Sequence, residues 1–346
     1  MMLTEDDRII ERPQTGSAVP LLEVEGLSKT FDLGRAKWTG PKRLLRAVVD
    51  ATFSVARGET LALVGESGCG KTTTARMVAL LETPTAGHIR LGGHDLRALS
   101  GHEFRRERRR VQMVFQDSMA SLDPRMRVGH SIAEPLAVTG APRAERDRRV
   151  DQLLEQVGLE TRIADQFPQT LSGGQRQRIG IARALALKPD VIVADEPTSA
   201  LDLSIRAQVV NLLRRIQREL DIAIVFISHD LGTVRHLADR VAVMYLGRIV
   251  EQSPTEQLFA NPLHPYTRAL ISAVPVADPK VERDRQWKVP EGDVPSPIDP
   301  PSGCAFRARC PHATDTCLTR PPLDELRPGR LVACHFADRW IGTKTA

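Results

Sequence analysis

The sequence predicts an α/β protein built on a largely parallel sheet and followed by a loop-rich C-terminal extension. Three observations carry that expectation. From Leu21 to about Phe259, short apolar runs at residues 61–64, 191–194 and 222–227 alternate with longer amphipathic segments, the rhythm of buried strands joined by helices. A glycine-rich segment, residues 65–72, links the first of these runs to a helical pattern. Of the 24 prolines, 14 lie at or beyond Pro254, which excludes long helices and central strands from the remainder of the chain.

Composition narrows the class. With 346 residues and 41% apolar content, the chain can bury a substantial core, so disordered and fibrous classes are excluded. No apolar run approaches the roughly eighteen residues of a membrane-crossing helix. Residues 1–14 are acidic and lack the apolar stretch of a secretory signal, which points to a reducing compartment without structural disulfides. The net charge of +5 is mild. Its densest basic run, residues 105–110, contains Glu107 and no interleaved aromatic, so it reads first as a solvated helix face or a contact for an acidic partner and second as a contact for anionic lipid or nucleic acid. No internal repeat is visible, which sets solenoids and propellers aside.

Taken in order, residues 1–20 read as a flexible leader ending at Pro20, and a strand begins at Leu21. Residues 33–44, with Gly34, Trp38, Gly40 and Pro41, read as a loop inserted between two early strands. Thr60 to Val64 is a buried strand, followed by GESGCGKT and a helix through Ala75, Met77, Val78 and Leu81. That is a phosphate loop in the strand-to-helix setting the motif requires. Gly65, Gly68 and Gly70 let successive N–H groups turn inward toward phosphate oxygens, and the helix N-terminus adds its positive dipole end. Glu66, Ser67, Cys69 and Thr73 complete the candidate nucleotide-binding segment. Lys71 supplies a charge to the β and γ phosphates, and the Thr72 hydroxyl is placed to ligate Mg²⁺.

Between Asp117 and Pro168 the strand rhythm stops. Val150, Leu153, Leu154 and Val157 have helical spacing instead, so a helical subdomain of about residues 117–172 interrupts the core. The run ending at Ala194 leads into Asp195 and Glu196, the pair a metal-assisted hydrolase needs: one carboxylate to hold Mg²⁺, the other to orient or deprotonate water. Residues 222–227 lead into Ser228, His229 and Asp230. His229 is thus a further polar strand terminus at the ligand-binding edge of a parallel sheet, placed to contact a γ-phosphate. Between these elements LSGGQRQR, residues 171–178, opens a helix with Ser172, Gly173 and Gly174, a second anion-binding N-terminus that one nucleotide does not need.

In that order, GESGCGKT, Gln116, LSGGQ, Asp195-Glu196, SALD at residues 199–202 and His229 resemble the ATP-binding subunit of ABC transporters over residues 21–259. The resemblance implies a P-loop NTPase with a RecA-like core, an antiparallel β subdomain and an inserted helical subdomain. It implies a head-to-tail dimer in which Ser172, Gly173, Gly174 and Gln175, with Asp202, serve the partner's nucleotide. Glu196 would be the general base, His229 the γ-phosphate switch, and Gln116 a contact to Mg²⁺ and water alongside Thr72 and Asp195. Phe31 would stack on adenine.

Three segments resemble oligopeptide and dipeptide importers in particular: QDSMASLDPRMRVGHSIAEPL after Gln116, NPLHPYTRALISAVP, and PPSGCAFRARCPHATDTC with ACH. The phosphate-loop form and the residue 33–44 insertion resemble the F-type ATPase subunit. The resemblance implies a second ATPase subunit in a heterodimer, two transmembrane permeases and, indirectly, an extracytoplasmic solute-binding protein. It places the chain at the cytoplasmic face of the membrane and leaves nucleic acid out of the partners. Close relatives import nickel or other small solutes, and a soluble non-transport ATPase acting on nucleic acid is the reading from another class.

Four of the five cysteines, Cys304, Cys310, Cys317 and Cys334, crowd into residues 260–346. Four thiolates hold zinc or an iron–sulfur cluster, and free thiols are the third reading. The wide spacing lacks the C-x-x-C pairs of structural zinc, and the family resemblance implies a 4Fe-4S cluster.

Overall fold

The computed structural model describes residues 20–35, 42–274 and 292–342. The expected leader therefore lies outside the described residues except for Pro20.

β1 (Leu22–Arg35) and β2 (Lys42–Val55) form a long antiparallel hairpin. The expected inserted loop at residues 33–44 is corrected in part. Asp32 pairs with Leu44 and Arg35 with Lys42, so the two strands run well into that segment. Cross-strand hydrogen bonds satisfy backbone groups there, and a Lys42–Asp32 ion pair of 2.8 Å closes the end. Residues 36–41 lie outside the described set.

β3 (Thr60–Val64) starts the main sheet and feeds α1 (Lys71–Val78); β4 (Ala86–Leu91) and β5 (His94–Asp95) return to the hairpin, giving a first sheet of order β2-β1-β4-β5. α2 (Gly101–Arg109) carries the basic run and leads to β6 (Val111–Val114). Helices then take over, with α3 (Val128–Val138), α4 (Arg143–Gln156) and α5 (Gly173–Leu185). β7 (Val191–Asp195), α6 (Leu203–Leu220), β8 (Ala223–Ser228), α7 (Leu231–Leu237), β9 (Arg240–Tyr245) and β10 (Arg248–Pro254) complete the core. α8 (Thr255–Ala260) and α9 (Pro265–Ser272) precede two edge strands, β11 (Asp324–Arg327) and β12 (Arg330–Val332).

The main sheet has the order β11-β12-β10-β9-β3-β8-β7-β6. β9, β3, β8, β7 and β6 are parallel, and the strands beyond β9 are antiparallel. Its central strands are apolar on both faces because both faces are covered. Ala62, Val64, Ile192, Ala194, Ile224 and Phe226 pack into one core with the helices; Leu61, Leu63, Val191, Val193, Val225 and Ile227 pack into a second with α1 and the hairpin sheet. The apolar runs are therefore continuous and show no period of two.

The C-terminal extension continues this sheet. Val332 pairs with Glu251 and Leu331 with Gln252, and the proline-rich chain contributes only short strands at the edge, where missing N–H donors are tolerated. Phe306 seals the extension to the core, with ring centroids 5.3 Å from Tyr245 and 5.5 Å from Tyr266.

Candidate active site

The phosphate loop leaves β3 and enters α1 through three glycines with positive φ, at 153° for Gly65, 79° for Gly68 and 107° for Gly70. Two of them have no room for a side chain. A Cβ at Gly65 would lie 2.2 Å from the Met244 carbonyl oxygen, and one at Gly70 would lie 2.3 Å from that of Ala47. The loop is thus clamped between β9 and β2. The Lys71 ammonium donates to the carbonyls of Gly65 and Glu66 at 2.8 and 2.9 Å, which holds it within the loop. Cys69 turns inward and is buried; desolvation raises its thiol pKa, so it is a packing residue beneath the loop.

Strand register brings the other polar termini beside this loop. Val64 pairs with Ser228 and Asp195 with Ile227, so β3, β8 and β7 end level with one another. Thr72 Oγ1 donates to Asp195 Oδ1 at 3.2 Å. Burial is the main influence on Asp195 and raises its carboxyl pKa, against the Thr72 hydrogen bond. Glu196 adopts φ 44°, a left-handed conformation that costs a residue with a Cβ about 1–2 kcal/mol. It is held there by its N–H donating to Ile227 O at 3.0 Å and by the Ser199 hydroxyl donating to its carbonyl at 3.1 Å. Gln116 Nε2 donates to Glu196 Oε2 at 3.2 Å, and His229 Nδ1 lies 3.2 Å from the same oxygen.

A cavity of about 320 Å³ is lined by Phe31, Ser67, Gly68, Gly70, Lys71, Thr72, Thr73, Gln116 and Glu196, while Asp195, hydrogen-bonded to Thr72, and His229, beside Glu196, stand behind it. Phe31 thus shares a pocket with the phosphate loop, with the Lys29 ammonium 4.9 Å from its ring centroid. A triphosphate on the loop would meet the backbone amides and Lys71 first. Thr72 and Asp195 are hydrogen-bonded to each other and Gln116 lines the same cavity as Thr72; all three carry oxygens of the kind Mg²⁺ takes, and bound Mg²⁺ would neutralise charge developing on the phosphates. Glu196, on the lining of the same cavity, can hold a water.

Ser172, Gly173, Gly174, Gln175 and Asp202 do not line that cavity. Ser172 caps α5 in a reciprocal capping box: Gln175 N donates to Ser172 Oγ at 3.3 Å, and Ser172 N donates to Gln175 Oε1 at 2.9 Å. Asp202 caps α6, accepting from Ile205 N at 3.0 Å and Ser204 Oγ at 2.9 Å, and these bonds lower its pKa. Gly174 lets the two caps approach, because a Cβ there would lie 2.5 Å from Ile205 Cγ2.

Cys304, Cys310, Cys317 and Cys334 face one small cavity together with His264, His312 and His335. Its free volume is about 10 Å³, the space of one water. Burial raises the thiol pKa values of Cys304 and Cys310 and pushes Cys334 up to about 11. Among the described residues no three His, Cys, Asp or Glu side chains are disposed to hold a metal ion. The donors therefore fit zinc or a 4Fe-4S cluster in kind and number but not in their present spacing, so the expected iron–sulfur ligation is not supported by this geometry.

Sequence reasoning missed Tyr266 and Arg309. The Tyr266 hydroxyl accepts from Glu66 N at 2.9 Å, and Arg309 Nη1 lies 2.9 Å from Glu66 Oε2. The available signal was an acidic residue inside an anion-binding loop with no basic neighbour in sequence except Lys71.

The chain matches the ABC transporter family over residues 48–199 and the oligopeptide/dipeptide transporter C-terminal region over residues 250–317. YkfD of Bacillus subtilis, named as an oligopeptide transport ATP-binding protein, is 50% identical over 321 residues, 92% of this chain and 96% of that protein. The di/tripeptide transport ATP-binding protein DppF of Pseudomonas aeruginosa is 47% identical over 323 residues, 93% and 99% of the two chains. Among solved structures, the ATP-binding cassette MJ0796, a dimer in a post-hydrolysis state bound to ADP and Pi, superposes with a TM-score of 0.60 at 28% identity, covering 68% of this chain and 98% of that one. The cbiO1 protein of Clostridium perfringens, part of the ABC transporter complex cbiONQ, gives 0.60 at 29% identity, covering 69% and 90%. On identities of 47–50% over more than nine-tenths of its length, the chain belongs to the ATP-binding proteins of the ABC transporter family and is an ATPase.

Proposed function

We propose that this chain is the ATP-hydrolysing subunit that energises an importer of oligopeptides or dipeptides. The observation that carries the hydrolytic half is Glu196, which lines the phosphate-loop cavity with its carboxylate held by Gln116 and His229. The peptide half is supported by the C-terminal region and by the names of the relatives. Lys71 and the loop amides hold the triphosphate, Phe31 stacks on the base, and Glu196 takes the proton of the attacking water while His229 contacts the γ-phosphate. Ser172, Gly173, Gly174, Gln175 and Asp202 lie off this pocket and serve the nucleotide of a second ATPase subunit, in a heterodimer bound to two permeases. Among the described residues no helix is long and apolar enough to cross a membrane. The place we propose, peripheral at the cytoplasmic face of the permeases, rests on the transport names of the relatives. A solute-binding protein delivers the peptide from the other side. The working division is a leader at 1–20, an ATPase domain at 21–259 and an extension at 260–346.

The test is reconstitution of the full chain with its permeases and second ATPase in vesicles. Binding protein loaded with a di- or oligopeptide should stimulate hydrolysis and accumulate peptide; hydrolysis blind to peptide but stimulated by another solute would remove the peptide reading. For the thiol cavity, we propose that the four cysteines are ligands of an iron–sulfur cluster, on donor number and on a sequence spacing that lacks the C-x-x-C pairs of structural zinc. Iron and acid-labile sulfide in anaerobically purified protein would support this, and the absence of both would remove it.

A further inference from the structure

Glu66 is an oddity of charge. It is the second residue of a loop built to hold a polyanion, and a bare carboxylate there would repel the ligand. Its two neighbours from outside the loop come from the C-terminal part of the chain. Arg309, 243 positions away, places Nη1 3.2 and 2.9 Å from the two carboxylate oxygens, and its side chain is only 9% exposed. Tyr266 accepts the Glu66 amide proton at 2.9 Å. The Lys71 ammonium bonds to the Glu66 carbonyl, so the loop's own cation is not paired with this carboxylate.

Arg309 itself is fixed. Its guanidinium lies 6.0 Å from the Tyr245 ring centroid, Tyr245 packs at a tilt of 58° against Tyr266 with centroids 4.7 Å apart, and the next residue, Cys310, lines the thiol cavity. A solvated surface lysine would be screened and mobile; a part-buried arginine against an aromatic ring holds its charge in place.

We propose that Arg309 is a positioning residue of the ATP site, cancelling the charge of Glu66 and steadying the phosphate loop, so that the C-terminal extension forms part of the nucleotide site. The inference rests on the reading that ATP binds at residues 65–72. Without Arg309, the Glu66 carboxylate is left as an unpaired negative charge within the phosphate loop, one residue from Ser67 and two from Gly68, which line the nucleotide cavity. Removing Glu66 as well should then relieve the defect, because the repulsion and not the arginine contact is what weakens binding.

The test is binding of Mg·ATP and Mg·ADP to the full chain by calorimetry, for the wild type and for Arg309→Met, Arg309→Lys and Arg309→Met/Glu66→Gln. Arg309→Met should weaken ATP by roughly tenfold and ADP by less, since the repulsion scales with ligand charge. The loss should shrink between about 50 mM and 500 mM salt, where the screening length falls severalfold. Arg309→Lys and the double variant should recover most of the affinity. A double variant as weak as Arg309→Met, or Arg309→Met binding like the wild type, would overturn the proposal. Should Arg309→Met fail to fold by its thermal transition, Arg309→Gln carries the same comparison. The underlying site fails separately: Lys71→Ala binding ATP as well as the wild type would remove it, whatever Arg309 does.

Discussion

His229 Nδ1 lies 3.2 Å from Glu196 Oε2, and the two residues leave the ends of adjacent parallel strands. Gln116 donates to the same oxygen, so the carboxylate is oriented from two sides. Glu196→Gln should keep ATP binding and lower hydrolysis by roughly 10²–10⁴-fold, the range for loss of a general base. His229→Ala should lower it less, because Gln116 still holds the carboxylate. Single-turnover hydrolysis in the assembled complex is the measurement; unimpaired turnover of Glu196→Gln would remove the assigned base.

Gly65 and Gly68 separate steric clash from backbone strain. Both have positive φ, but a Cβ at Gly65 meets the Met244 carbonyl at 2.2 Å whereas none at Gly68 meets any atom within 4 Å. Gly65→Ala should abolish ATP binding and lower the thermal midpoint, whereas Gly68→Ala should cost about 1 kcal/mol. Similar losses for the two would show that clash is not the governing effect.

Gly174 tests the second helix terminus. Ile205 is β-branched and stiff, so Gly174→Ala must push α5 away from α6. Hydrolysis by the assembled complex should fall at least roughly tenfold, while ATP binding by the isolated chain stays within about twofold, since the segment is off its own pocket. Equal loss of both would place Gly174 in the chain's own site.

His264 should make stability pH-dependent. It is buried, its Nδ1 accepts from Tyr266 N at 3.0 Å, and desolvation lowers its pKa from 6.5 to about 3. The folded state thus binds fewer protons than the unfolded one between those values. Its contribution is present above about pH 6.5 and is lost on acidification at about 1.4 kcal/mol per pH unit. Glu251, which accepts from the backbone of Leu263 and His264, is raised by burial and acts in the opposite sense. Comparing denaturant stability of the wild type and His264→Gln from pH 7 to 5 isolates the histidine; an unchanged slope would show that it is not buried neutral.

Much of the site was legible because each piece is a contiguous segment at a strand end. GESGCGKT follows Val64, Asp195-Glu196 ends β7 and His229 follows β8, so apolar run plus polar terminus marks them all. The hairpin was harder: Asp32 and Leu44 pair across a segment whose glycines and proline read as loop, because pairing depends on a partner and not on local composition. The four cysteines were legible as a cluster, but their mutual spacing was not.

By itself the sequence determined the phosphate loop, the carboxylate pair, the second helix terminus and the concentration of thiols, since each is a property of neighbouring residues. Only the tertiary structure decided that Val64, Asp195 and Ser228 end level, that Ser172 stands off the pocket, and that Arg309 reaches Glu66 across 243 positions. Those are relations between distant segments. They are set by strand register and by burial of the aromatic cluster at Tyr245, Tyr266 and Phe306, which no local spacing encodes.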